Sequence, residues 1–108
     1  MEAGDEFLFV QKGRYDIGYN INKVIKYRLQ FGPRTNIGTF NVLFNTRHHF
    51  VYRACTEIHG FAVRKSSWMQ IAKDFEYFSE SIKINVMFHF DNYLRKPMNR
   101  KKKIDVEI

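Results

Sequence analysis

The chain has 108 residues, room for one domain and not comfortably for two. Its 18 Lys and Arg outweigh 11 Asp and Glu to give a net charge of +7, and 11 Phe, 6 Tyr and 1 Trp make it rich in rings. One cysteine, Cys55, excludes an intrachain disulfide, and no apolar run reaches the roughly 20 residues of a membrane helix.

Excess positive charge attracts polyanions, and flat rings offer faces on which unpaired bases stack. Together they predict a nucleic-acid ligand. The lone cysteine suits a reducing compartment, and the expected location is the cytosol or nucleus, with no membrane partner.

In chain order, residues 1–6 form an acidic segment without a secretion signal. Residues 7–92 are expected to be a single nucleic-acid-binding domain, and 93–108 a basic tail. From 6 to 63 the pattern is that of strands. Over 24–31, Ile25, Tyr27 and Leu29 share one face, and Lys26, Arg28 and Gln30 the other. Over 39–46, Phe40, Val42 and Phe44 alternate, and over 49–58 so do Phe50, Tyr52 and Ala54. Breaks fall at Gly13, 19–22, Gly32-Pro33, Gly38, 45–47 and Gly60. Ser66 and Ser67 then predict a helix N-cap, and Trp68, Ile71, Ala72, Phe75 and Phe78 an apolar helical stripe that forms core or a dimer contact. Ile84, Val86, Phe88 and Phe90 share strand parity, which predicts a last strand, and 104–108 alternates again. The fold class read from this pattern is α+β: a curved antiparallel sheet of four to six strands, then one amphipathic helix, with an added C-terminal strand.

Charge follows the same boundary. Residues 11–65 carry +8, 66–82 carry −2 and 95–103 carry +6. Phosphates are therefore expected on the sheet, and the basic run 95–103 reads as a nuclear-localisation or phosphate-binding patch. His48, His49, Cys55 and His59 lack metal-ligand spacing, so no metal or other cofactor is expected. No nucleophile is paired with an oriented base, so no enzyme is expected.

Two runs resemble a known family. Lys12-Gly13-Arg14-Tyr15 followed by Lys23-Val24-Ile25, and Gly60-Phe61-Ala62-Val63 followed by Trp68-Met69-Gln70-Ile71, are similar to the single-stranded-DNA-binding domain of transcriptional positive coactivator four. The likeness covers about half the chain. It leaves 32–59 as an inserted hairpin and the residues after the helix as an extension. It implies a homodimer holding melted DNA, with contacts at Lys12, Arg14, the Tyr19 loop, Lys23, Arg28 and Phe31. Strand parity and charge add Lys26 and Arg34, and Trp68, Ile71 and Phe75 fall on the core or dimer helix. The expected function is single-stranded-DNA binding, as a coactivator-like or replication and repair accessory protein in the nucleus (a host nucleus if viral), beside transcription or replication proteins. The alternatives are RNA binding, or a structural or protein-interaction dimer with a basic nuclear-targeting tail.

Overall fold

The computed structural model describes residues 6–47 and 50–107, and its first half is built from strands where β-branched and aromatic residues alternate. These are β1 (Glu6–Lys12), β2 (Tyr15–Ile21), β3 (Val24–Phe31), β4 (Thr35–Ile37), β5 (Val51–Ala54) and β6 (His59–Arg64). They do not form the single curved sheet expected. Two three-stranded antiparallel sheets form instead, in the orders β4-β1-β6 and β3-β2-β5. Val10 and Ile37 from the first sheet meet Tyr15, Ile17 and Tyr19 from the second in one buried cluster.

The register of β2 on β3 slips once. Ile17 pairs with Leu29 but Gly18 with Tyr27, so Arg28 is the extra residue of a β-bulge. A bulge inverts the alternation on one side of itself. Leu29 therefore packs on the core, whereas Tyr27 lies under the exposed Arg53 guanidinium, 3.8 Å from its ring centroid. Ile25, expected on the face of Leu29, is 43% exposed.

Beyond β4 the predicted strand at 39–46 is replaced by the short helix α1 (Thr39–Leu43). Five residues fit either periodicity. Here Phe40 and Phe44 meet as an i, i+4 pair at 4.8 Å, and Val42 and Leu43 are buried with Phe7 and Trp68. After β6 the described chain is helical to Glu107 apart from Phe75: α2 (Lys65–Asp74), α3 (Glu76–His89), a π-helical segment (Phe90–Arg95) and α4 (Lys96–Glu107). Helix α2 begins at Lys65 after Arg64 with no side-chain cap, so Ser66 and Ser67 lie inside its first turn. The C-terminal strand expected at 84–90 is helix as well. Ile82 and Val86 pack on the second core cluster and Phe90 follows at the same spacing, while Ile84 and Phe88 are 68% and 58% exposed. Strand-like parity arose because exposed apolar residues stand between buried ones.

The residues read as a basic tail belong to α4, and Met98 on that helix is 0% exposed, inside the cluster of Val10, Tyr15, Ile17, Tyr19 and Ile37. The described structure is a single chain, and the dimer implied by the resemblance is not shown by it. Removing a fully buried Met side chain costs about 2–5 kcal/mol. We expect Met98→Ala to lower the urea-unfolding stability by that amount, whereas a solvated tail would tolerate it within about 0.5 kcal/mol.

Candidate functional site

The segment after β3 is built to hold a tight turn. Arg34 has φ 67 and its amide donates to the Val10 carbonyl at 2.8 Å. The Thr35 hydroxyl donates to the Gly32 carbonyl at 2.7 Å and lies 2.7 Å from the Tyr15 hydroxyl. Strand β4 then ends at Ile37, and Gly38, whose φ of 82 is the left-handed conformation that favours glycine, turns the chain into α1. The Asn41 side-chain amide fixes the far end of α1 by donating to the Arg47 carbonyl at 2.6 Å and to the Thr46 hydroxyl at 3.2 Å.

Helix α3 and the π-helical segment lie against this turn. Phe40 stacks on Phe90 with centroids 3.9 Å apart and planes within 6°. Between the two sides is a cavity of about 620 Å³. Phe31 and Tyr52 line it from the sheet, Arg34, Asn36 and Thr39 from the turn, and Asn85, His89 and Tyr93 from the helical side, with no carboxylate among the described residues of the lining. Burial pushes the Tyr52 phenol well above its usual pKa, so it stays neutral there. Thr39 is 7% exposed, and its hydroxyl has no hydrogen-bond partner among the described residues. An unpaired buried hydroxyl costs about 1–3 kcal/mol and calls for an explanation.

The residues expected to contact DNA do not gather on one surface. Lys12 ends β1 and Lys23 sits in the turn between β2 and β3, at opposite ends of a seven-residue strand about 20 Å long. Arg14 lies at the Lys12 end, where its amide donates to the Thr56 hydroxyl at 2.9 Å, and Lys26 lies on β3 near the Lys23 end. Tyr19 is 2% exposed and offers no ring face to a base. Phe31 is half-buried edge-on to Tyr15 and, with Arg34, lines the cavity, so these two expected contacts are brought together there. Trp68 is buried in the second cluster, while Ile71 and Phe75 are 41% and 61% exposed. Cys55 and His59 are exposed, and His48 and His49 lie outside the described residues.

Arg28 is engaged elsewhere. Displaced by the bulge, its Nε and Nη2 donate to the two carboxylate oxygens of Asp105 at 2.8 and 2.9 Å, and the Tyr19 hydroxyl donates to the same carboxylate. The Arg28 bonds, then the Tyr19 bond, hold the Asp105 carboxyl down at about 2. Arg53 is likewise paired, with Asp16 at 2.8 Å.

No protein-family model and no curated protein sequence matches the chain. Solved structures do. A cyclic nucleotide-binding domain from Methylobacillus flagellatus KT aligns with a TM-score of 0.75 at 16% identity, over 92% of this chain and 56% of that one. Thermus thermophilus catabolite activator protein aligns at 0.65 and 10%, over 97% and 47%, and the cGMP-bound EAL enzyme Bd1971 at 0.65 and 17%, over 98% and 28%. The chain thus spans about half or less of these neighbours' lengths. At such identities the likeness establishes the fold, which resembles a cyclic nucleotide-binding β-roll followed by a long C-terminal helix.

The resemblance to transcriptional positive coactivator four is overturned by these neighbours. With it go single-stranded-DNA or RNA binding, the coactivator-like role and its transcription or replication partners, and the nuclear description attached to them. The alternative of a structural or interaction dimer has no support either. Thr39, Asn85 and His89 were missed. The signal for the last two was a helical one, since Asn85 and His89 fall one turn apart beside the Ile82, Val86, Phe90 series that strand parity concealed.

Because Asp105 is depressed in the folded chain, its link to Arg28 contributes fully above the unfolded carboxylate pKa of about 3.9 and is lost as pH falls through about 2. The Asp105 carboxyl carbon, followed by NMR, is expected to titrate near that value and to move up into the ordinary carboxylate range in Arg28→Gln.

Proposed function

We propose that this chain is a regulatory module that binds a cyclic nucleotide in the cavity between the Gly38 turn and α3. The observation that carries the reading is the buried, unpartnered Thr39 hydroxyl in the wall of a cavity of ligand size. Support comes from the fold, which is shared with domains described as cyclic nucleotide-binding or solved with cGMP bound. The lining suits such a ligand. Arg34 offers a guanidinium to a phosphate with no competing carboxylate among the described lining residues, and Arg47 is exposed on the loop that Asn41 ties to α1. Phe31, Tyr52 and Phe90 supply aromatic wall, and Asn85 and His89 supply polar atoms for a base edge.

A ligand seated there touches the roll and the C-terminal helix at once. It therefore favours one placement of the helix over others, which is how binding becomes regulation. The reading assigns binding and no turnover.

The experiment is a calorimetric titration of the full chain with cAMP and with cGMP, where saturable heat with at least one is expected and its absence with both sinks the reading. Thr39→Val separates ligand contact from structure, because its two effects have opposite signs. Losing a bond to the ligand weakens affinity about fivefold, whereas removing an unsatisfied buried hydroxyl leaves the ligand-free melting temperature unchanged or higher. Arg34→Ala is expected to weaken binding about tenfold or more, as loss of a charge-assisted bond does.

A further inference from the structure

We infer that Asn85 on α3 reads the base of the bound nucleotide and selects adenine over guanine. The inference rests on the cyclic-nucleotide reading of the cavity and adds the identity of the base. Charge orients the ligand first. A cyclic nucleotide carries its charge on the phosphate, and Arg34, on the turn, is the permanently charged group among the described lining residues. The phosphate therefore belongs at the turn and the base on the helical wall. Flat faces are available there: Phe90 lines that wall, and His89 lies along Tyr93 with centroids 5.3 Å apart and planes within 24°.

Asn36, Asn41 and Asn85 all line the cavity, and the fold leaves one of them for the base. The Asn41 amide is engaged by Arg47 and Thr46. Asn36 stands two residues from Arg34, on the phosphate side. Asn85 is on the helical wall, exposed, and its side-chain amide makes no hydrogen bond with a described residue. Adenine presents an amino donor beside a ring-nitrogen acceptor, and one side-chain amide satisfies both with its oxygen and its NH2. Guanine presents its ring N–H and its 2-amino group side by side, two donors whose complement is a carboxylate. No carboxylate is among the described lining residues. An amide that takes guanine's ring N–H and carbonyl instead leaves the 2-amino group unmatched, at a cost in affinity.

The test is calorimetric titration of the full chain, of Asn85→Ala and of Asn85→Asp. The probes are cAMP, cGMP and the cyclic phosphate of purine riboside, which is cAMP without its 6-amino group. The unaltered chain is expected to bind cAMP about tenfold or more tighter than cGMP, and the deaminated probe about tenfold weaker than cAMP. On Asn85→Ala the deaminated probe and cAMP should bind alike, because the bond that separates them is already gone. Asn85→Asp should reverse the preference between cAMP and cGMP, since a carboxylate accepts both guanine donors. Melting temperatures check that the variants are folded, and the three probes on the unaltered chain decide the base preference without them. Equal affinity for cAMP and cGMP, tighter binding of cGMP, or an undiminished loss for the deaminated probe on Asn85→Ala overturns the inference and leaves the cyclic-nucleotide reading standing. No binding of any probe overturns both.

Discussion

Two three-stranded sheets of such short strands bury their shared face only where something covers their open side, and here the cover is Met98. It enters the cluster of Val10, Tyr15, Ile17, Tyr19 and Ile37 from a helix more than thirty residues beyond the last strand. Full burial of such a side chain contributes about 1.5–3 kcal/mol, a large fraction of a small domain's net stability. The seat also fixes the direction of everything before it. With Met98 in the core and Asp105 bound to Arg28, the helical half must run back across the sheets. That course brings α3 against α1 and encloses the cavity.

This dependence explains which parts of the fold are legible in the amino-acid order. Strands β1, β2 and β3 are readable because pairing with neighbours close in sequence demands the alternation they show. The Arg28 bulge is not, because an extra residue is defined by its partner strand. α1 and the 84–90 region are misread for a related reason: their apolar spacing satisfies two periods, and the choice belongs to tertiary contacts, Trp68 against Val42 and Phe40 against Phe90.

The misleading family likeness has a physical origin as well. Gly60 pairs with Val10 where β6 meets β1, and a Cβ there would lie 1.9 Å from the Phe9 carbonyl oxygen. Trp68 fills the core one turn into the helix that follows. Lys12-Gly13-Arg14-Tyr15 is likewise a turn entering a strand whose first residue is buried. A strand that needs glycine for close approach and a helix that needs a large apolar residue in its first turn are local demands which unrelated folds share. The basic residues misled differently. Counting them by segment left out Asp105, which lies 77 residues from Arg28 and already pairs with it. The cavity was the least legible part. Thr39 carries no motif, and what sets it apart is a buried hydroxyl without a partner among the described residues.

From Glu76 to Glu107 the helical path is unbroken, and the Phe90–Arg95 stretch is π-helical. Such segments insert a change of phase and are common at functional sites. Val86 before it and Phe90 at its first residue close the cavity; beyond it Met98 and Asp105 hold the core and the bulge. A ligand that widens the gap between Phe40 and Phe90 must therefore be accommodated either within the six π-helical residues or by lifting Met98. Close-packed cores resist continuous deformation and yield by discrete rearrangement. Fully buried Met98 stands on the resistant side of that segment.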